Sequence, residues 1–457
     1  MTIILQMRGD CRSRRIARRE LLQTLSRAGI CLPFASAFGI SALALPATQQ
    51  RAPFTPLAGQ PTFSQQDEAL LQDLESANFL YFWEQANPDT GLVRDRCNVV
   101  KPDKSNQLGS IAALGFGLTA ICIGEKRGFV SYPEASGRVL NTLRFLWKKL
   151  PNHRGFFYHW ADINTGERLW DSEVSSIDTA ILLCGVLACR EYFHHSEITE
   201  LAHLIFDRVD WTWLSEDTSI LPHGWTPESG FLQYRWDNYS EMMMMYLLGL
   251  GSFTHPLPAT TWDAWKRVPF EYDDIQYIGS FAPLFVHQYS QAWFDFREQR
   301  DKYADYFRNS ILATRAHRRF CIDLSSEFSD YTDNLWGITA SDSKHGYVVW
   351  GGPPTTGPID GTVVPCASGG SLPFLPMETM QVLRNIKDHY PHAWSRYGFV
   401  DAFNPLTNWY DTDVVGIDTG ITMLMAENAR SGFVWDIFMK NPEAQRGMMR
   451  AGFHEEG

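Results

Sequence analysis

Two glutamates, Glu228 and Glu241, stand thirteen residues apart in a stretch crowded with rings and turn formers. The stretch reads His223-Gly224-Trp225-Thr226-Pro227-Glu228-Ser229-Gly230-Phe231, then Trp236-Asp237-Asn238-Tyr239-Ser240-Glu241. Carboxyls beside indole and phenol rings suit the cleavage of sugars. The rings stack on the apolar faces of pyranoses, and the carboxyls move the protons. A capped, tightly packed loop of a large helical protein has the same ingredients, so each acid has to be weighed against that plainer role.

Three acids fit a cap as well as a catalytic role. Ser175-Ser176-Ile177-Asp178 matches a capping box ahead of an apolar run. Asn238-Tyr239-Ser240-Glu241 offers an Asn cap with Glu at the third helical position, and Asp418 in Gly416-Ile417-Asp418-Thr419-Gly420 suits an N-cap. Glu228 differs, because Pro227 and Gly230 leave no room for a regular helix. Its neighbours Trp225, Pro227 and Phe231 are apolar, which would raise its pKa and suit a general acid. An acid at a helix start is pushed toward the anion by the macrodipole, so Asp418 suits a base. Asp401 is a further candidate for holding sugar hydroxyls. Asp95-Arg96 reads as an internal ion pair. His287-Gln288-Tyr289-Ser290 reads equally as a hydroxyl-binding set or a helix cap. Trp225, Trp336, Tyr347, Trp350 and Trp409 are candidate stacking rings, and the run Met242–Met245 is core. The histidines lack metal-ligand spacing, so neither a metal nor a cofactor is expected.

The elements that must position these acids are helices. Apolar periodicity predicts them over residues 66–87, 110–126, 133–149, 175–193, 197–209, 238–250, 259–266, 290–298, 303–320, 376–389 and 420–428. A hairpin is expected where 155–160 and 168–170 flank the turn Asn164-Thr165-Gly166. Residues 325–375 have no periodicity, and so long a loop in a compact domain is usually functional. No βαβ alternation, phosphate loop or HExxH appears. Close to a dozen helices joined by aromatic loops point to an all-α fold, an (α/α) toroid with a few short β-hairpins in its loops. A stacked solenoid would need repeats of fixed period, and none is visible.

At 457 residues, 44% hydrophobic and 20% charged, the chain can bury a large core. Net charge is −12, yet residues 1–47 hold seven Arg against Asp10 and Glu20, so the rest carries −17. An acidic body without a basic stripe excludes nucleic acid as a partner. The pairs Arg14-Arg15 and Arg18-Arg19 precede a mildly apolar stretch ending near Ala47. Residues 1–47 thus read as a twin-arginine signal peptide, cleaved or kept as an anchor, and 48–65 as a linker. Residues 66–457 follow as one catalytic domain without a membrane span. The expected partners are a carbohydrate and the twin-arginine export machinery, and the expected location is periplasmic or extracellular. Six of the eight Cys lie beyond the leader and form no CxxC pair, which fits free thiols carried out in a folded protein.

Further stretches carry a family resemblance. They include Tyr81-Phe82-Trp83-Glu84, Asp89-Thr90-Gly91-Leu92, Ser175-Ser176-Ile177-Asp178-Thr179-Ala180, Gly224-Trp225 with Pro227-Glu228, and Tyr239-Ser240-Glu241. His287-Gln288-Tyr289-Ser290, Tyr306-Phe307-Arg308-Asn309-Ser310, Asp401-Ala402-Phe403-Asn404 and Gly416-Ile417-Asp418 continue the series. Over residues 75–453 the chain resembles the glycoamylase-like bacterial domain family, close to glycoside hydrolase family 144. The resemblance implies an (α/α)6 toroid, hydrolysis of β-1,2-glucans, and an active site lined by the acids matching Asp178, Glu228 and Asp418. Thr419, Gln291 and Ser343 depart from the pattern, where Gln, His and Gly are expected. The expectation is an exported glycoside hydrolase in which Glu228 donates the proton and Asp418 activates water. The alternatives are a non-catalytic glycan-binding envelope protein, a transglycosylase or α-glucan hydrolase on the same scaffold, and a polysaccharide lyase.

Overall fold

Short strands that run straight into helices set the architecture. Leu108–Ser110 (β2) leads into Ile111–Lys126 (α2), Val174–Ser175 (β4) into Ser176–Tyr192 (α4), and Asp413–Val415 (β7) into Gly416–Ser431 (α9). In the first two cases a serine at the junction caps the helix: Ser110 Oγ accepts from Ala113 N–H, and Ser175 Oγ from Asp178 N–H. Helix α2 packs against both α4 and α9, so three helix N-termini converge at one end of the fold. The computed structural model describes residues 61, 63–102 and 106–455. The leader expected at 1–47 and most of the linker expected at 48–65 lie outside the described residues.

The remaining long helices are Gln65–Glu84 (α1), Tyr132–Lys148 (α3), Ser196–Asp207 (α5), Met243–Gly251 (α6), Tyr306–Asp323 (α7), Pro376–His389 (α8) and Pro442–Arg450 (α10). The fold is mostly helical, with only two- and three-stranded sheets among the described residues. Arg96–Asn98 (β1) pairs antiparallel with β7, Arg96 opposite Val415 and Asn98 opposite Asp413. Trp160–Asp162 (β3) pairs with β2, and β4 pairs with Gly224–Thr226 (β5), which pairs with Gly230–Phe231 (β6). No helix among the described residues is long and apolar enough to cross a membrane.

The α2–α4 contact depends on glycine. A Cβ on Gly185 would lie 2.2 Å from the Gly115 carbonyl oxygen, and one on Gly115 would lie 2.3 Å from that of Ile181. Only hydrogen fits there, so the two backbones touch. In the same contact the Cys122 and Cys189 thiols are 3.7 Å apart, and all six described cysteines are buried. Away from the cleft end, buried charge ties α1, α2 and α9 together. Arg430 pairs with Glu68 and Glu75, and Arg127 with Glu427. Burial, with Glu427 beside it, pushes the Glu75 carboxyl up to about 8 in spite of its arginines.

Several predicted elements differ in the structure. The helix expected over 290–298 is a 3-10 turn, Ser290–Ala292, in which Ser290 Oγ donates to the Glu241 carbonyl. Residues 259–266 shorten to Thr261–Ala264, while α9 begins four residues before the predicted 420. The expected hairpin forms around its predicted turn: Asp162 N–H donates to the Glu167 carbonyl at 2.8 Å and Leu169 N–H to the Trp160 carbonyl at 3.0 Å, with an antiparallel bridge between Ala161 and Arg168. The other edge of β3 pairs with β2, across the mouth of α2, a relation that local sequence does not carry.

Candidate active site

The converging helix starts floor a cleft of about 680 Å³. Helix α2 and its cap contribute Ser110 and Ala112, α4 contributes Asp178 and Ile181, and α9 with β7 contributes Val415, Ile417 and Asp418. The walls come from Asp95, Arg96, His159, Trp160, Glu241, Phe285 and Tyr289, and from the 325–375 loop through Ala340, Ser341 and Tyr347. Asp401 completes the lining.

Asp178 and Asp418 hold equivalent places. Each is the third residue of a helix entered from a strand, and each is nearly buried. The unsatisfied N–H groups of the first turn favour an anion at both positions. The N-cap of α9 is Val415, which makes no side-chain cap bond, so Asp418 is not the cap that its surroundings in sequence suggested. Glu241 is not the third residue of an Asn-capped helix either. Helix α6 starts at Met243, Asn238 bridges to Lys266, and Glu241 lies buried in the turn ahead of the helix. Both acids are thereby placed in the cleft wall rather than used up in capping.

The most perturbed acid is Asp401. Burial pushes its carboxyl well above the usual range, with Asp418 and then Asp342 adding to the effect, and it shares a hydrogen bond with Asp418. The Asp342 N–H donates to Asp401 Oδ2 at 2.6 Å. Burial and the neighbouring carboxyls thus favour the neutral form of Asp401.

Around them runs a charged shell. Arg96 is hydrogen-bonded to Asp95 at 3.0 Å, which agrees with the ion pair expected from sequence, but it also binds Asp342 and lies 3.8 Å from Asp413. Asp411 sits behind, its Oδ1 accepting from the N–H groups of Thr412 and Asp413. Burial, Asp342 and Asp413 push Asp411 up to about 7. On the opposite wall His159 stacks on Trp160 at 4.0 Å, with Nδ1 3.1 Å from Glu173 and Nε2 3.5 Å from Asp178. Two groups bring three possible metal-ligand atoms within 4.8 Å of one another: His159, Glu173 and Asp178, and Asp342, Asp411 and Asp413.

Of the residues predicted from sequence, Asp178, Glu241, Tyr289, Tyr347, Asp401 and Asp418 line the cleft. Glu228 does not. It lies on the turn between β5 and β6 with its side chain 56% exposed, gripped by Arg168 at 2.7 and 2.9 Å. Arg168 holds its carboxyl below the ordinary glutamate range, the opposite of the raised value expected from apolar neighbours. Those neighbours face elsewhere: Trp225 stacks on His153 at 4.0 Å, and Phe231 packs against Trp213. His287 is buried beside Tyr239 and held neutral by burial, its pKa down at about 3. Gln288 donates to Ala367 and Ser371 inside the core, and Trp336 is fully buried. Trp409 is half-buried and pairs with Asn404 away from the cleft lining. Reading the sequence alone missed His159, Trp160 and the wider reach of Arg96. The His159-Trp160 pair follows the aromatic run 156–158, which gives it no distinguishing signal.

Known proteins resemble the chain throughout the described fold. The Glycoamylase family model, described as putative glucoamylase, matches residues 233–442. The exo β-1,2-glucooligosaccharide sophorohydrolase of Parabacteroides distasonis is 28% identical over 429 residues, covering 85% of this chain and 58% of the relative. The chain thus spans less than two thirds of that relative's length. A crystal structure of a Bacteroides caccae protein with the family's description superposes with a TM-score of 0.80 at 30% identity, covering 85% of this chain and 100% of that one. The endo-β-1,2-glucanase of Chitinophaga pinensis, solved with sophorotriose and glucose, gives 0.78 at 28% identity, covering 86% and 99%. By its fold and its relatives, the chain belongs to the glycoamylase-like bacterial domain family, beside glycoside hydrolase family 144.

Proposed function

We propose that this chain is a glycoside hydrolase that cleaves a β-1,2-linked glucan or gluco-oligosaccharide by general acid/base catalysis. The observation that carries the reading is a cleft in which Asp178, Glu241, Asp401 and Asp418 converge beside Trp160, Tyr289 and Tyr347. The β-1,2 linkage is supported by the sophorohydrolase and endo-β-1,2-glucanase among the similar proteins.

The roles follow from the surroundings of each carboxyl. Asp418 is the base: it is the third residue of α9, in the cleft, and shares a hydrogen bond with Asp401, whose neutral form burial favours. Asp178 meets His159 at 3.5 Å and is placed to hold sugar hydroxyls. Glu241, buried in the turn ahead of α6 and sharing the cleft with Phe285 and Tyr289, is the proton donor to the leaving oxygen. Glu228 is replaced in that role, because a carboxylate clamped by an arginine has no proton to give at neutral pH.

Purified protein incubated with linear β-1,2-glucan, laminarin, cellulose and starch should release reducing sugar from the first. No product from any of the four would overturn the reading. Export by the twin-arginine route belongs to the same proposal and is supported by Arg18-Arg19 ahead of the apolar stretch. Replacing both arginines with lysine should leave the protein in the cytoplasmic fraction, and unchanged export would reject that route.

A further inference from the structure

Trp170 and Asp171 are consecutive residues in the left-handed region, with φ of 56° and 49°. A bulky L-residue seldom adopts that conformation, and it persists only where the surroundings fix it. Arg168 does the fixing. Its Nε donates to the Ser172 carbonyl at 2.6 Å and its Nη2 to the Asp171 carbonyl at 2.6 Å, so the guanidinium clasps the loop's own backbone. The guanidinium is itself held by Glu228, with two parallel bonds, and lies 4.9 Å from the centre of the Tyr158 ring. The braced turn holds an indole out in solvent. Trp170 is 56% exposed, the one exposed tryptophan among the described residues. It also touches Trp160, ring centres 5.9 Å apart at 61°, and Trp160 lines the cleft.

We propose that Trp170 is an outer sugar platform beside the cleft, stacking a pyranose of a chain whose other residues occupy the cleft, and that Glu228 and Arg168 hold it in place. The inference rests on the glucan reading of that cleft. An exposed indole that adjoins a cleft-lining tryptophan offers a pyranose a broad apolar face. Backbone strain spent on presenting it fits a binding role, since a merely packed ring gains nothing from exposure. Glu228 acts here as a positioning residue, through Arg168, and not on the substrate.

The test is chain-length dependence. A Trp170→Gly variant removes the ring and accepts the positive φ, so the loop is relieved rather than disrupted. Kinetics would be measured for the full chain on long linear β-1,2-glucan and on a β-1,2-linked trisaccharide, beside Trp170→Phe and Glu228→Gln. The expected result is KM for the long glucan raised about 3- to 10-fold in Trp170→Gly, with trisaccharide kinetics within about 2-fold of the parent. Trp170→Phe should restore most of the difference, and Glu228→Gln should move the long-chain KM in the same direction. A Trp170→Gly variant equal to the parent on both substrates, or impaired equally on both, would overturn the platform while leaving the glucan reading intact. A parent protein that neither binds nor cleaves any glucan would overturn both.

Discussion

Asp401 shares a hydrogen bond with Asp418 across the junction where β7 enters α9. Burial disfavours the charged form of Asp401, and Asp418, Asp342 and Asp411 each disfavour it further.

The pair predicts an asymmetry between two isosteric changes. Asp401→Asn keeps an acceptor for the Asp342 N–H and supplies an amide donor in place of the carboxyl proton. Its kcat should fall about 10-fold or less, whereas Asp418→Asn should lose about 10³-fold. Steady-state kinetics on β-1,2-glucan would check both, and equal losses would remove the distinction between base and positioning group.

The same pair sets an alkaline limit. Asp401 has a raised pKa, so its proton is present at low pH and lost as pH rises through that value. kcat/KM should fall on the alkaline side in the parent. In Asp401→Asn, which cannot ionise, that limb should shift upward or vanish. A limb identical in the two proteins would assign the limit to another group.

Asp411 predicts a stability effect distinct from catalysis. Folded, it keeps its proton to about 7, while the unfolded chain releases it near the ordinary 3.8. Between those values the native state binds more protons, so stability falls as pH rises from about 4 to about 7. Asp411→Asn removes the cost and retains an oxygen for the Thr412 and Asp413 N–H groups. At pH 8 it should stabilise the protein by up to about 4 kcal/mol, about three pKa units at 1.36 kcal/mol each. Thermal melts at pH 4 and pH 8 would show a gain only at the higher pH, and a gain of equal size at both would point to packing instead.

Gly185→Ala probes the frame that holds the helix starts together. The added methyl would meet the Gly115 carbonyl at 2.2 Å, and neither backbone has room to yield. A loss of about 1–3 kcal/mol is expected from denaturant unfolding, with reduced activity because α2 and α4 both floor the cleft. A neutral effect would mean that the two helices can separate without cost.

Much of this was legible in sequence. Apolar periodicity located α1 to α5 to within a few residues, and the serine before α4 was readable as a cap for the same reason that it caps in the fold. Asp178 and Asp418 were legible as acids at helix starts, where a cap and a cleft position coincide, and the family resemblance favoured the cleft. What failed was inference from near neighbours. Trp225, Pro227 and Phe231 adjoin Glu228 in the chain, but the β5–β6 turn points the rings away and meets it with Arg168 from sixty residues upstream. His287 lost its place in the cleft in the same way, buried instead by Tyr239. Cross-chain pairings such as β2 with β3, or Arg96 with Asp342, carry no local signature.

The central claim is that Glu241 in the cleft, and not the exposed Glu228, gives the proton. It is tested most directly by kcat for Glu241→Gln and Glu228→Gln on a short β-1,2-linked oligosaccharide, with circular dichroism confirming that both fold. The account predicts a loss of about 10²- to 10⁴-fold for Glu241→Gln and a kcat within a few-fold of the parent for Glu228→Gln. The reverse order, with Glu228→Gln inactive and Glu241→Gln near the parent, would contradict it.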